Sequence, residues 1–235
     1  MFILGTICCR GGSKGIKSKN IKPLLGKPLL SYTINAALQC NSLNAVIVST
    51  DNNEIETVAR NYGVKEIIHR PAELATDTAS KWSVFIHAVE VFESTHKTNV
   101  DYIVDMDVTV PLKTSNDIEA AIQLALNNND ADVIITGYEP ERNPYFNMME
   151  LDTAGFAQIV KRNKRPIVRR QDAPPVYSLT PAAYVIKKTA LYEFEHWSKA
   201  KCKISPMPRE RAIDIDTEFE FKMVECLMNL NERTV

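Results

Sequence analysis

Short apolar runs of strand length alternate along this chain with segments in which apolar residues recur at helical spacing. Strand-length runs occupy residues 3–9, 45–49, 64–69, 102–106, 133–136 and 182–187. Helical periodicity occupies residues 28–40, 80–92, 116–126 and 218–230, and Thr217 with Glu220 fits a capping box before the last of these. Strand, helix and strand repeated in this way is typical of a parallel sheet. The sequence therefore predicts an α/β fold whose sheet is mostly parallel and carries helices on both faces.

Composition limits what such a fold can bind. With 28 basic and 29 acidic residues among 235, the net charge of −1 supplies no field that would attract nucleic acid or an anionic membrane. No apolar run approaches the roughly 18 residues that a membrane-spanning helix needs, and Met1 leads directly into strand-like sequence, so we expect a cytoplasmic protein. The five cysteines contain no C-x-x-C pair and the four histidines lack metal-ligand spacing, which argues against a disulfide framework or a zinc site.

The alternating pattern is interrupted between residues 138 and 181. This stretch is rich in proline, aromatic and basic residues, as in EPERNPYFNMMELD and VKRNKRPIVRRQDAPPVY, and it shows no helical period. Its prolines suit edge strands and turns rather than central strands. We interpret residues 1–137 and 182–235 as the α/β domain and residues 138–181 as an arm that projects from it.

The first strand-length run ends in a segment that combines positive charge with very small side chains, ICCRGGSKGIKSKN at residues 7–20. In open parallel sheets, ligands bind at the carboxyl ends of strands, where this loop is expected to lie. Its glycines would let backbone N–H groups approach a ligand, and its cations and hydroxyl would add charge and hydrogen bonds; these residues are Arg10, Gly11, Gly12, Ser13, Lys14, Gly15 and Lys19. The spacing matches neither G-x-x-x-x-G-K-[ST] nor G-x-G-x-x-G. The composition favours a polyphosphate site, and a solvated surface turn is the alternative.

The same loop, extended as RGGSKGIKSKNIKPLLGKPLLSYTI from residue 10, closely resembles the N-terminal signature of the acylneuraminate cytidylyltransferase family. The resemblance continues in STD at residues 49–51, RPAELATDTAS at 70–80, TVPLKTSNDI at 109–118 and DIDTEFEF at 214–221. Members of this family use CTP to make CMP-activated nine-carbon sugar acids. The resemblance therefore implies a nucleotidyltransferase with a Rossmann-like fold. In the implied reaction, the anomeric C2 hydroxyl of the sugar acid attacks the α-phosphorus of CTP and expels pyrophosphate.

The resemblance also implies roles for individual residues. The nucleotide-binding set would comprise Arg10, Gly11, Gly12, Ser13, Lys14, Lys19, Asn20, Arg70 and Asp77. Asp214 and Asp216 would bind Mg²⁺, since carboxylates one residue apart point the same way in an extended chain and hard oxygens suit this ion; a pair of acids at a helix start is the alternative. The catalytic set would comprise Arg10, Lys14, Lys19 and Asp216, with Asp216 the candidate for accepting the hydroxyl proton.

Departures from the sialate-specific pattern indicate a different sugar. Where those members read Q-P-T-S-P-L-R, this chain reads DVTVPLK, with Asp107 at the glutamine position and Lys113 at the arginine position. The segments DMDVTVPLK, RNPYFNMMEL and RRQDAPPVY resemble the branch that activates legionaminate, so we expect legionaminate or a related nonulosonic acid as substrate. The sugar-binding set would comprise Asp107, Thr109, Arg169, Arg170 and Tyr184.

The resemblance further implies a homodimer, in which the arm pairs two subunits and reaches toward the partner's site. A solvated basic loop is the alternative for this segment. Three other functions stay open: synthesis of CMP-N-acetylneuraminate, nucleotidyl transfer to a sugar 1-phosphate from another nucleotide, and nucleotide binding by a regulator without catalysis. The intact pair Asp214 and Asp216 argues against the last of these.

Overall fold

A seven-stranded sheet forms the centre of the protein, in a computed structural model that describes residues 1–12, 15–163 and 167–232. Along the chain the strands are β1 (Ile3–Cys8), β2 (Pro23–Leu24), β3 (Lys27–Pro28), β4 (Ala45–Thr50), β5 (Glu66–His69), β6 (Tyr102–Asp105), β7 (Val133–Tyr138), β8 (Met149–Leu151), β9 (Ala157–Ile159), β10 (Ser178–Lys187) and β11 (Cys202–Pro206). The helices are α1 (Leu29–Leu38), α2 (Asn53–Asn61), α3 (Lys81–His96), α4 (Ser115–Leu126), α5 (Lys188–Glu193) and α6 (Glu218–Glu232). Every predicted strand and helix is present, with ends that differ by a few residues.

The central sheet is mostly parallel, as predicted. Its strand order is β11-β7-β10-β6-β1-β4-β5, and β1 runs parallel to both β4 and β6. The exception is β10, which is antiparallel to β6 and β7. The chain leaves β1 toward β4 and β5 and then returns to β6 on the other side of β1. This reversal opens a crevice at the carboxyl ends of β1 and β6, where open α/β sheets bind ligands.

Helices cover both faces of the sheet, because neighbouring strand residues point to opposite sides. Ile3, Val48 and Val104 belong to a core with residues of α1, α2, α4 and α6. Leu4 and Ile103, their sequence neighbours, pack on the other face with residues of α3 and α5. The near-continuous apolar strands seen in the sequence are those of a sheet buried on both sides.

Short polar side chains set where several helices begin. Asn52 Oδ1 accepts hydrogen bonds from the backbone N–H groups of Glu54 and Ile55 at the start of α2. Thr114 and Asp117 form a capping box at the start of α4. At the start of α6, the backbone N–H of Thr217 donates to Glu220 over 2.8 Å, as the predicted capping box requires.

The arm leaves the sheet at the carboxyl ends of the parallel strands, the same side as the crevice. Because β10 is antiparallel to β6 and β7, the end of β7 and the start of β10 both lie at the carboxyl end of β6. Between them, β8 and β9 form a separate antiparallel pair. Large apolar side chains are exposed along this segment, namely Met148, Met149, Leu151, Phe156, Val168 and Tyr177. Among the described residues, no helix is both long and apolar enough to cross a bilayer.

Candidate functional site

A cavity of about 310 Å³ lies in the crevice at the carboxyl ends of β1 and β6. It is lined by Cys8, Cys9, Arg10, Gly12, Gly15, Lys19, Asn20, Asp107, Val108, Thr109 and Asp216. We call it the glycine-loop cavity. It brings together three segments that are far apart in the sequence: the first loop, the turn after β6 and the segment before α6. A larger cavity of about 620 Å³, lined by Phe2, Asn44 and Phe92 among others, lies at the opposite, amino ends of the strands.

Arg10 stands at the start of the glycine loop and is held by its neighbours. Its guanidinium Nη2 lies 2.5 Å from Asp77 Oδ1, and its carbonyl accepts a hydrogen bond of 2.9 Å from Asn20 Nδ2. The next backbone N–H, of Gly11, donates to Asp51 Oδ1 over 2.9 Å. Four members of the predicted nucleotide-binding set therefore meet here. Asp51, to which the sequence analysis assigned no role, directly follows β4 and anchors the loop through its hydrogen bond with Gly11.

The glycine loop packs directly on the segment before α6. A Cβ built on Gly15 would lie 2.3 Å from the carbonyl oxygen of Asp216, so a side chain at residue 15 would force the backbone apart. Lys19 Nζ donates to the carbonyl of Ile215 over 2.7 Å and lies 3.4 Å from Asp216 Oδ1. The loop and the predicted metal ligands thus form one surface, although about 200 residues separate Lys19 from Asp216.

The two predicted metal ligands differ in environment. Asp214 Oδ1 is buried and has no hydrogen-bond partner among the described residues. Burial raises the pKa of Asp214, and a hydrogen bond with Thr109 opposes that increase. Asp216 has 76% of its side chain exposed. A buried carboxylate oxygen without a partner beside an open carboxylate fits a cation that draws its other ligands from a substrate.

A lysine that the sequence interpretation missed lies beside Asp107. Lys81 Nζ is 2.6 Å from Asp107 Oδ2 and 3.0 Å from Asp105 Oδ2. Asp105 is fully buried, and its Oδ1 accepts a hydrogen bond of 3.0 Å from Thr6. Burial opposes the charge on Lys81, but Asp105 and Asp107 raise the pKa of its ammonium above the ordinary value. In the sequence, the only feature that marks Lys81 is its place directly after the helix cap Ser80.

Lys113, at the arginine position of the sialate-type motif, lies beneath the cavity rather than in it. Its side chain is buried, and Nζ donates to Thr33 Oγ1 over 2.8 Å and to the carbonyls of Asp107 and Val110 over 2.5 and 3.0 Å. Burial lowers the pKa of this lysine to about 7. Its amino group holds the turn that presents Asp107 to the cavity.

The remaining predicted site residues lie outside the cavity lining. Arg70 is buried and donates to the Ser49 carbonyl over 2.9 Å. Arg169 makes a paired contact with Asp172, and Arg170 donates to the carbonyl of Pro140. Both arm arginines are exposed.

Tyr184 lines a neighbouring cavity of about 310 Å³, together with Ser80, Lys81, Trp82, Phe85, His196 and Trp197. Two members of the predicted nucleotide-binding set, Ser13 and Lys14, lie outside the described residues.

Comparisons with known proteins identify the family and the fold. A sequence profile of the family described as Cytidylyltransferase matches residues 4–231. The chain is 34% identical to the Campylobacter coli protein named post-translational flagellin modification protein B, over 96% of this chain and 94% of that protein. It is 35% identical to the Campylobacter jejuni CMP-N,N'-diacetyllegionaminic acid synthase, over 97% of this chain and 95% of that protein. Among solved structures, CMP:2-keto-3-deoxy-manno-octonic acid synthetase complexed with CTP has the same fold, with a TM-score of 0.70 and 19% identity over 98% of this chain and 100% of that one.

Proposed function

This chain belongs to the cytidylyltransferase family, and we propose from that premise that it activates a nonulosonic acid with CTP, giving the CMP-sugar and pyrophosphate. One observation carries the proposal. The carbonyl of Asp216 packs on Gly15, and Lys19 reaches both Ile215 and Asp216. A loop suited to phosphates and a pair of carboxylates suited to a divalent cation therefore share one cavity, as nucleotidyl transfer requires.

The chain's own groups would act mainly by binding and alignment. Arg10 and Lys19, both lining the cavity, would neutralise charge on the CTP phosphates, and the glycine backbone would let those phosphates approach closely. The sugar hydroxyl would then attack the α-phosphorus in line with the departing pyrophosphate. Asp216, which is open to the cavity, is the candidate acceptor for the hydroxyl proton.

Mg²⁺ is the cofactor that we propose for Asp214 and Asp216. The buried Asp214 Oδ1, which has no hydrogen-bond partner in the described part of the chain, supports this assignment. No group of three or more His, Cys, Asp or Glu side chains among the described residues could hold a metal without a substrate. A pair of carboxylates that needs further ligands from the substrate suits Mg²⁺, which is commonly bound through one or two carboxylates plus substrate phosphates. When bound, the ion would offset negative charge on the phosphates.

For the sugar, we propose legionaminate or a closely related 5,7-diamido acid. The Campylobacter jejuni relative named CMP-N,N'-diacetyllegionaminic acid synthase aligns along 97% of this chain. Asp107 lines the cavity at the position that sialate-type members fill with glutamine. An ionised carboxylate can accept hydrogen bonds from the sugar but cannot donate one.

We also propose that two copies pair through the arm. Its exposed apolar side chains, including Leu151 and Phe156, favour burial against a partner. Among the described residues, β8 and β9 pair with no third strand, and an isolated two-stranded hairpin is only marginally stable in water. Sedimentation equilibrium of the wild-type protein should give a dimer mass, and a monomer at micromolar concentration would contradict the pairing.

The function is tested by product identity. Purified protein with CTP, Mg²⁺ and a panel of nonulosonic acids should release pyrophosphate and form a CMP-sugar, with N,N'-diacetyllegionaminate used more efficiently than N-acetylneuraminate. UTP, GTP or ATP with sugar 1-phosphates provides the control for the rival nucleotidyltransferase activity. Binding of CTP without turnover of any sugar acid would instead indicate a regulator.

The metal assignment has its own variant. Asp216→Asn should lower kcat by about a hundredfold or more at saturating Mg²⁺, because an amide supplies neither the charge for the cation nor the base for the proton. Binding of Mn²⁺ to the CTP complex, followed by electron paramagnetic resonance, should weaken in parallel. Glu218→Gln, two residues further on, removes an exposed carboxylate paired with Lys22 and serves as the matched control. Full activity of the Asp216 variant would move the metal site elsewhere.

A further inference from the structure

Lys81 joins a buried carboxylate to the carboxylate that faces the cavity. Its Nζ lies 3.0 Å from Asp105 Oδ2 and 2.6 Å from Asp107 Oδ2. The Asp105 side chain is completely buried, whereas that of Asp107 is 21% exposed and lines the glycine-loop cavity. Among the residues that the structure describes, no other cation lies within hydrogen-bonding distance of either carboxylate.

The position of Lys81 is not explained by helix stability. It is the first residue of α3, directly after the cap Ser80. Backbone N–H groups give this end of a helix a partial positive charge, so a lysine here is electrostatically disfavoured. The contacts with Asp105 and Asp107 offset that cost. The contacts of its side chain with the two carboxylates, and not helix stability, therefore account for a lysine at this position.

One oxygen of Asp107 is left to meet a ligand. Its Oδ2 contacts Lys81, and its Oδ1 has no hydrogen-bond partner in the described part of the chain. The backbone on both sides is anchored, since the Asp107 N–H donates to the Pro181 carbonyl over 3.0 Å and its own carbonyl accepts from Lys113. With the backbone and Oδ2 both held, the direction of Oδ1 is set as well.

Resting on the proposed function, we infer that Lys81 is a positioning residue for sugar recognition. It holds the Asp107 carboxylate in one orientation, so that Oδ1 accepts a hydrogen bond from a hydroxyl or amide N–H of the sugar acid. The recognition group of this chain is thus the Lys81–Asp107 ion pair rather than a single side chain. A glutamine at residue 107 would need no such cation, because it is neutral.

The test compares steady-state kinetics of Lys81→Met, Lys81→Arg, Asp107→Asn and the double variant Lys81→Met/Asp107→Asn. Lys81→Met should raise the KM for the sugar acid about 10- to 100-fold and leave the KM for CTP within about twofold. Lys81→Arg should recover most of the loss. The double variant should be no worse than the poorer single variant, since both changes remove the same recognition group.

A matched control comes from Lys203, which is 40% exposed against 45% for Lys81 and lies 3.1 Å from Asp130. Lys203→Met should leave both KM values unchanged. Melting temperatures of all variants show whether a loss reflects unfolding. If Lys81→Met does not fold, Asp107→Asn, which keeps the Lys81–Asp105 contact, carries the test, and an unchanged sugar KM in it overturns the inference.

Other outcomes also separate the possibilities. An unchanged sugar KM in folded Lys81→Met, or an equal rise in the KM for CTP, overturns the role in sugar recognition. Additive losses in the double variant would show that Lys81 acts independently of Asp107. Absence of turnover by the wild-type protein with every sugar acid would instead refute the proposed function itself, and this inference with it.

Discussion

Replacing Lys113 with methionine tests how the turn that carries Asp107 is held in place. The buried Nζ donates to Thr33 Oγ1 and to the carbonyls of Asp107 and Val110. Methionine fills a similar volume but leaves both carbonyls without this donor. Each of the three hydrogen bonds lost from Nζ costs about 0.5–1.5 kcal/mol, and removal of the buried charge returns part of that cost. We expect a net loss of about 2–3 kcal/mol, or about 4–12 °C in Tm for a chain of this size.

The same variant should change how stability depends on pH. Burial lowers the folded-state pKa of Lys113 to about 7, whereas the unfolded lysine keeps its ordinary value near 10.4. Between these values the unfolded chain binds more protons than the folded one, so the free energy of unfolding increases as pH rises. This contribution should be present in wild type and absent from Lys113→Met.

Thermal unfolding and urea unfolding, both followed by circular dichroism at pH 7 and pH 9, measure the two effects. Lys203→Met, which removes a half-exposed lysine paired with Asp130, is the matched control and should change stability by less than about 1 kcal/mol. A Tm for Lys113→Met within about 2 °C of wild type would refute the anchoring role. An identical pH slope in the two proteins would refute the lowered pKa.

Three further substitutions test the glycine loop, with Gly12→Ala as the control for Gly15→Ala. Gly15→Ala should lower both turnover and the unfolding midpoint, because its Cβ would meet the Asp216 carbonyl at 2.3 Å. Gly12→Ala should leave the midpoint unchanged, because no described residue beyond its chain neighbours has an atom within 4 Å of a Cβ at that position. Equal midpoints would show that the two segments do not pack as described. Arg10→Ala should raise the KM for CTP about 10- to 100-fold, because it removes a charge-assisted contact with the phosphates. Its Tm should barely change, because the ion pair of Arg10 with the 44%-exposed Asp77 lies at the surface. Wild-type CTP kinetics in this variant would remove Arg10 from the phosphate site.

Much of the fold could be read from local pattern. Apolar strand runs such as 45–49 and 102–106 signalled β4 and β6, because a sheet covered on both faces needs continuous apolar strands. Helix α2 was missed because it is short and mostly polar, with Ile55 and Ala59 as its buried residues. The antiparallel direction of β10 was also not predicted, since strand direction leaves no local mark in an apolar run.

The site was predicted in part, because its residues came from motifs rather than from contacts. The glycine loop and the pair Asp214 and Asp216 were placed in one site through family resemblance, and the structure brings Gly15, Lys19 and Asp216 together. Lys81 escaped notice because a lone lysine at a helix start looks like a solvated charge.

The sequence by itself determined the α/β class, the loop after the first strand and the family, since each depends on residue types that are close together in the chain. The tertiary structure decided which charges meet. Strand order brings Asp107, at the end of β6, beside Arg10 at the end of β1, and the start of α3 brings Lys81 to Asp107. It also turned Lys113 inward, away from the cavity. Electrostatic interactions depend on distance and burial, and neither quantity exists until the sheet has assembled.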